Sequence, residues 1–294
     1  MPVHRSRVSP EWAAEVVIAH AAGSVLHLGG ESDHLAAELV ARGLAVTRVA
    51  FEAPPDGSAP DHEWATVHSD PVSLQLEQRF DLVWLSLPSS PHDSSFDTRS
   101  VVHAAVQHVV PGGHVVMELP LSEAAPADAV ALGGLCAEFD LTELSAVGDG
   151  QLTCYRRTER FTVHDLVFEA RGSIGRVSPQ ELQRRLLGDH PPLVLDTRTH
   201  TDRLRFGVID GAVHAPRTVL EWHLDPANGY RHPAICSFDQ PLVVVCNGGY
   251  SSSLAAANLV RVGFTDVSDL IGGVHAWGSA GLPMSTPDHS HLDL

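Results

Sequence analysis

The chain has 294 residues and a formal net charge of −17, with 44% hydrophobic and 19% charged residues. This length suits two domains with separate cores, and the acidic balance disfavours nucleic acids and anionic membranes as partners. All 19 basic residues are arginine, which excludes lysine Schiff bases, pyridoxal phosphate attachment and a P-loop lysine.

Localisation and metal binding can be judged from the same composition. No apolar stretch reaches transmembrane length, and the first twenty residues contain acidic side chains, so they are not a secretory signal. We therefore expect a cytoplasmic protein that does not bind membranes. The four cysteines show no C-x-x-C spacing, and the 19 histidines form no H-E-x-x-H arrangement. We predict neither a disulfide framework nor a metal site.

Apolar segments alternate with helical segments in the first half of the chain. The predicted strands are 25–28, 45–50, 80–87 and 115–119, the predicted helices are 33–42 and 100–109, and 111–113 (PGG) is a predicted turn. Such alternation predicts an α/β domain with a parallel sheet, in which a ligand would bind at the carboxyl ends of the strands.

Residues 11–157, with the turn at 111–113 before a late strand, resemble a class I S-adenosylmethionine-dependent methyltransferase. The resemblance implies a Rossmann-like sheet and assigns the cofactor to Gly29, Gly30 and Glu52.

This half departs from that family at three positions. Glu31 and Asp33 stand where the family has glycine, and Ala50 stands where an acidic residue holds the ribose hydroxyls. An acidic side chain in such a loop opposes close backbone approach to the cofactor. We therefore expect a scaffold or partner-binding domain in which adenosylmethionine is a doubtful cofactor. A true methyltransferase with an accessory second domain is the alternative.

The domain limits follow from these patterns. We place the first domain at 1–158, a linker with a short amphipathic helix at 159–172, the second domain at 173–287 and a disordered tail at 288–294.

Cys246 is the most informative residue of the second half. It follows an apolar run at 242–245 (LVVV), and a glycine pair, three serines and a helical segment at 254–260 come after it. The order predicts a buried strand, a tight loop and a helix, with the thiol beside converging amides and the positive end of the helix dipole. That setting stabilises a thiolate, the nucleophilic form of cysteine.

The motifs around Cys246 resemble a rhodanese domain and occur in that family's order. They are VLDTR at 194–198, VIDGA at 208–212, Pro216, CNGGYSSS at 246–253 and LIGGVHAW at 270–277. The resemblance implies that Cys246 carries a persulfide and that the loop binds substrate. The implied loop residues are Asn247, Gly248, Gly249, Tyr250, Ser251 and Ser252. Arg198, on the family's D-x-R strand end, and Arg203 are further candidates for binding the sulfur donor. For Arg198 the alternative is a structural role, in which its guanidinium ties the strand end to the domain by hydrogen bonds.

The loop lacks an arginine that many active rhodaneses carry before the serine or threonine that opens the helix. Ser251 occupies that position, and the next arginine is Arg261. A loop arginine would grip an anionic donor with a planar fork, so we expect weak activity with thiosulfate. Phosphatase chemistry, which needs an arginine in a longer loop, is disfavoured.

Together these residues predict a sulfurtransferase with ping-pong chemistry. Cys246 would take a sulfane sulfur from a small-molecule or protein donor and pass it to a thiol acceptor, without a cofactor for this step. A methyltransferase with an accessory rhodanese domain and a non-catalytic protein that uses Cys246 for redox sensing or docking remain as alternatives.

Overall fold

The computed structural model describes residues 15, 19, 23–29, 34–50, 65–68, 71, 74–76, 78–87, 97–119, 125–147 and 152–287. The chain divides into two compact units, Met1–Phe161 and Thr162–Leu294. The predicted tail at 288–294 lies outside the described residues. No described helix is long and apolar enough to cross a membrane.

The first unit is built on a seven-stranded sheet in the order β3-β2-β1-β4-β5-β7-β6. Its elements are β1 (Ser24–Gly29), α1 (His34–Ala41), β2 (Ala45–Ala50), β3 (Ala65–His68), β4 (Phe80–Ser86), α2 (Thr98–His108), β5 (Val109–Glu118), α3 (Ala125–Glu138), β6 (Leu141–Val147) and β7 (Leu152–Arg157). In this order, the five strands β3, β2, β1, β4 and β5 pair in parallel. Strand β7 is antiparallel to both of its neighbours, β5 and β6. The strand order reverses between β1 and β4, as in doubly wound sheets.

Continuous apolar runs account for the central strands of this unit. Leu82, Val83, Trp84 and Leu85 of β4 are all buried, because helices cover both faces of a parallel sheet. The predicted α/β class is therefore confirmed.

The predicted turn at 111–113 is wrong in one respect, because these residues lie within β5. Pairing with β4 jumps from Phe80–Val109 to Leu82–His114, so the intervening residues form an irregularity in a continuing strand. A Cβ atom on Gly113 would come within 2.8 Å of the Asp81 carbonyl oxygen. Glycine is therefore required here by close packing of β5 against β4.

The second unit contains a five-stranded parallel sheet in the order β10-β9-β11-β12-β8. Its elements are α4 (Val163–Arg171), β8 (Gly175–Val177), α5 (Pro179–Leu186), β9 (Leu193–Asp196), α6 (His200–Phe206), β10 (Val213–His214), α7 (Leu220–Leu224), β11 (Leu242–Val245), α8 (Ser251–Val262), β12 (Val267–Leu270) and α9 (Gly273–Ser279). Two apolar clusters, one containing Leu242 and Val244 and the other Val243 and Val245, reflect the alternation of side chains along β11.

Helix α4 lies within residues 159–172, which were predicted as a linker with a short amphipathic helix. The helix starts at a fixed point, because the Thr162 amide and hydroxyl donate to Asp165 Oδ2 at 2.7 Å and 2.6 Å. Val167 and Ala170 are buried, and α4 packs against α8. Helix α4 therefore packs as part of the second unit, which begins at Thr162.

Candidate functional site

Cys246 lies directly after the central strand β11, with β9 on one side and β12 on the other. Its neighbour Val245 is held by Thr197, whose amide and hydroxyl donate to the Val245 carbonyl oxygen at 3.0 Å and 2.9 Å. Only 6% of Cys246 is exposed. The thiol therefore has a fixed position at the carboxyl edge of a parallel sheet, where α/β proteins place their ligands.

The loop after Cys246 folds back onto the sulfur. The Gly249 amide donates to Cys246 Sγ at 3.2 Å, and Ser252 Oγ lies 3.2 Å from the same atom. Burial by itself raises the pKa of Cys246. Hydrogen bonds from the hydroxyls of Ser251 and Ser252 and from the amides of Ser252 and Gly249 outweigh burial, so the net pKa is lowered. The site stabilises a thiolate.

Two glycine positions let the backbone approach this closely. Gly249 has φ 75°, and a Cβ atom there would lie 2.8 Å from the Gly272 nitrogen. Gly273 has φ 61°, and its Cβ atom would lie 2.4 Å from the Cys246 carbonyl oxygen. Larger residues would push the loop and α9 apart.

Helix α9 fixes the loop from the other side. The amides of Val274 and His275 donate to the carbonyl oxygens of Cys246 and Asn247 at 2.9 Å and 3.0 Å. The LIGGVHAW motif thus holds the nucleophile's backbone in place.

Helix α8 begins earlier than the sequence predicted, at Ser251 instead of residue 254, and Tyr250 is its N-cap. The serines are thus the first turn of the helix. Ser251, at the position of the missing arginine, hydrogen-bonds to the sulfur through its side chain. Ser252 and Ser253 are fully buried. The serine run therefore places both hydroxyls and amides near Cys246.

Arg198 and Arg203, which the sequence named as candidates for binding the donor, are both paired with Asp196. Arg198 donates to both carboxylate oxygens of Asp196, at 2.9 Å and 2.7 Å, and to the Gly207 carbonyl oxygen. Arg203 Nε donates to Asp196 Oδ2 at 3.3 Å. All three side chains are at most 1% exposed. We conclude that these arginines stabilise the end of β9.

A second buried cluster on the other side of β11 was not predicted from the sequence. Asp269 of β12 is fully buried, accepts from Ser253 Oγ at 2.6 Å and pairs with Arg176 Nε at 3.0 Å. Arg171, the last residue of α4, donates from Nε to Ser253 Oγ at 3.3 Å and from Nη2 to the Gly249 carbonyl oxygen at 3.0 Å. No local pattern marks Arg171, because its partners lie about 80 residues further along the chain.

The other cysteines differ from Cys246 in setting. Cys136 and Cys154 are buried in the first unit, and burial raises the pKa of each to about 11. Cys236 is exposed on a loop. Within the described residues, no group of three or more His, Cys, Asp or Glu side chains is arranged to hold a metal ion. The chemistry available at the second unit's site is therefore that of the Cys246 thiolate.

We expect the Cys246 thiol to titrate below the free value of about 8.5. Since its folded pKa is lowered, the reactive thiolate persists at lower pH and is lost only as the pH falls through the lowered value. Iodoacetamide alkylation followed residue by residue with mass spectrometry measures the midpoint. Cys136 and Cys154, with raised pKa values, serve as internal controls. A midpoint at or above the free value would contradict the arrangement described.

The carboxyl edge of the first sheet, where a ligand was predicted, carries a polar cluster. Ser86 Oγ donates to Glu118 Oε2 at 2.9 Å, and Trp84 Nε1 donates to the same oxygen at 3.3 Å. His27 Nε2 lies 3.2 Å from Ser86 Oγ. These groups are partners of one another across β1, β4 and β5.

Of the predicted cofactor residues, Gly29 ends β1 with φ 75°. Gly30 and Glu52 lie outside the described residues. Ala50, at the end of β2, is buried and brings no acceptor side chain to this edge.

Comparison with known proteins gives matches to both halves. Residues 178–280 match the family model of the rhodanese-like domain. The chain is 30% identical over 115 residues to a sulfurtransferase of Allochromatium vinosum, covering 39% of this chain and 98% of that protein. It is 36% identical over 104 residues to the thiosulfate sulfurtransferase GlpE of Pseudomonas aeruginosa, covering 35% of this chain and 84% of the relative.

Among solved structures, the N-methyltransferase NodS of Bradyrhizobium japonicum aligns with 51% of this chain and 94% of its own, at 15% identity and a TM-score of 0.39. The family match lies wholly within the second unit and contains Cys246 and its loop.

Proposed function

The chain belongs to the rhodanese family through its second unit, and we propose that it is a sulfurtransferase that carries sulfur as a persulfide on Cys246. One observation supports this above all others: the loop hydroxyls and amides converge on a single buried sulfur and lower the pKa of its thiol. A structural cysteine needs no such set of donors.

In the first step the Cys246 thiolate attacks the outer sulfur of a sulfane donor. With thiosulfate, a new S–S bond forms to Cys246 while the bond to the sulfonate sulfur breaks, and sulfite leaves with the electron pair. The product is an anionic persulfide, so charge balances without an outside oxidant or reductant. The amides and hydroxyls of the loop remain as donors to the transferred sulfur.

In the second step a nucleophilic acceptor attacks the outer sulfur of the persulfide. A thiolate acceptor becomes a persulfide, and cyanide becomes thiocyanate. The Cys246 thiolate leaves with the electron pair and is ready for another cycle. Only the chain's own residues are needed, so this proposal includes no cofactor for sulfur transfer.

Mass spectrometry of the intact protein tests the proposal. The chain is mixed with thiosulfate, or with glutathione persulfide, desalted and digested. A gain of one sulfur atom on the peptide that contains Cys246, lost again on addition of cyanide, supports the proposal. An oxidised Cys246 without transferable sulfur would favour the redox or docking alternative.

The cellular setting proposed here follows from the thiol chemistry. An unpaired cysteine keeps its free thiol, the form that accepts sulfur, best in a reducing compartment, so we propose that the protein acts in the cytoplasm. Its partners would be a small-molecule or protein sulfur donor and a thiol acceptor.

For the first unit, we expect no adenosylmethionine binding in the micromolar range. Ala50 provides no acceptor for ribose hydroxyls at the end of β2, and the sequence has acidic Glu31 and Asp33 where glycines would let the backbone approach. Isothermal titration of the full chain measures this. Thermal stabilisation by adenosylmethionine, worth about 2.7 kcal/mol at a hundredfold excess over Kd, would instead establish the methyltransferase alternative.

A further inference from the structure

We propose that Arg171 of α4 is the donor-binding cation of the sulfurtransferase site and that it selects anionic sulfane donors such as thiosulfate. This inference rests on the proposed function and names its substrate class. Arg171 lies outside the residues that match the rhodanese family model, 178–280. It would take the role of the arginine that the loop lacks at Ser251.

The first argument is the contact between Arg171 and the loop. Its Nη2 donates to the carbonyl oxygen of Gly249, the residue whose amide donates to Cys246 Sγ. Its Nε donates to Ser253 Oγ in the first turn of α8. One guanidinium is thus bound to both the loop and the helix that surround the sulfur. A planar fork suits two acceptors at once, which a lysine would not satisfy equally well.

The second argument is the balance of charge around Cys246. Arg171 and Arg176 face one carboxylate, Asp269, which leaves one excess positive charge beside the loop. Arg198 and Arg203 likewise face one carboxylate, Asp196, on the other side of β11. Among the described residues, four arginines, Arg171, Arg176, Arg198 and Arg203, thus stand against two carboxylates, Asp269 and Asp196. Their sum favours an anion at Cys246 in a chain whose own net charge is −17.

The third argument is access. Arg198 and Arg203 are buried in their ion pairs, whereas Arg171, like Arg176, is half-buried. The Arg171 guanidinium lies 5.4 Å from the centre of the Tyr250 ring and interacts electrostatically with Cys246. Burial lowers the pKa of Arg171 to about 10, so it remains protonated at neutral pH. Arg261 is in the last turn of α8, far along the helix from Cys246.

The consequence is a revision of the expectation for thiosulfate. Ser251 removes the usual loop cation, but Arg171 restores one from an element that precedes the matched domain. A charge-assisted hydrogen bond to the dianion would then lower the KM for thiosulfate more than it changes kcat, because it binds the donor before and during the reaction.

The test compares Arg171→Met with Arg184→Met in the full chain. Arg184 lies on α5, is largely exposed and forms a surface ion pair with Glu181, so its variant is the matched control. We expect Arg171→Met to raise the KM for thiosulfate about tenfold or more with a smaller change in kcat, the size of a lost charge-assisted hydrogen bond. Arg184→Met should match the unaltered protein.

A second readout does not require sulfur transfer. Iodoacetate and iodoacetamide alkylate the same thiolate, but only iodoacetate is anionic. The ratio of their rates at Cys246 therefore reports the local charge. We expect Arg171→Met to lower this ratio about threefold or more and Arg171→Lys to preserve most of it. Arg171→Lys also serves if the methionine variant does not fold.

A double variant that returns a positive charge to the loop completes the test. Adding Ser251→Arg to Arg171→Met should recover most of the lost affinity for thiosulfate, because the cation returns at the neighbouring position. Unchanged KM and unchanged alkylation ratio in a folded Arg171→Met protein would overturn the inference. If the unaltered chain takes up sulfur from no donor, the proposed function fails, whereas the alkylation ratio still decides whether Arg171 is the site's cation.

Discussion

Replacing Cys246 by serine is expected to abolish sulfur transfer, with a loss of about 10³-fold or more relative to the unaltered protein. Serine keeps the size of the side chain and can hydrogen-bond to Ser252 and Gly249, so the loop should remain folded. An alkoxide cannot form at neutral pH, and no persulfide can be built on oxygen. Transfer from thiosulfate to cyanide, measured as thiocyanate, gives the rate.

The matched control is Cys236→Ser, which changes an exposed cysteine of the same unit. We expect it to retain most of the activity. Cys136→Ala and Cys154→Ala, in the core of the first unit, should retain the site as well. Substantial turnover by Cys246→Ser, or its loss in Cys236→Ser, would contradict the assignment of the nucleophile.

Asp196→Asn is expected to destabilise the second unit by about 3–5 kcal/mol, a large part of the stability of a domain. The substitution removes the only carboxylate bound by Arg198 and Arg203 in the described structure, and both arginines are almost fully buried. Two buried like charges without a counter-ion repel each other and cannot recover their hydration.

Hydrogen exchange of β11 peptides in increasing urea follows the unfolding of the second unit separately from the first. Asp266→Asn is the control, since Asp266 is exposed, and it should change the free energy of unfolding by less than about 0.5 kcal/mol. A loss below about 1 kcal/mol for Asp196→Asn would show that the cluster is hydrated or compensated and would remove the basis for its structural role.

The predictions for Cys246→Ser and Asp196→Asn distinguish the nucleophile from two arginines that the sequence had assigned to the same site. Cys246, Arg198 and Arg203 all stand near the carboxyl edge of the sheet, and all three were candidates for the substrate site, with a structural role as the alternative for Arg198. Burial and pairing favour the structural role, because Arg198 donates to Asp196 and to the Gly207 carbonyl oxygen, and Arg203 donates to Asp196. The ion pairs of the two arginines hold the strand end beside Cys246. Cys246 remains the assigned nucleophile, because the loop directs hydrogen-bond donors to its sulfur.

The sequence by itself determined the α/β class, the central strands β1, β2, β4 and β11 and the setting of Cys246. Each of these depends on neighbours in the chain, such as a continuous apolar run, a glycine pair or a helical segment that follows at once. Strands β6 and β7 escaped prediction because their residues are mixed in polarity. Pairing of β7 with β5, and of β6 with β7, supplies what their own pattern lacks.

Only the tertiary structure decided which charged groups meet. Arg171 reaches Gly249 across 78 positions, and Arg176 reaches Asp269 across 93. Such contacts follow from the crossover connections of a parallel sheet, which bring distant strand ends to one edge. Sequence patterns report local geometry, whereas the charge beside Cys246 is a sum over side chains from several helices and strands. For that reason the nucleophile could be found from the sequence, and the cation proposed to serve it could not.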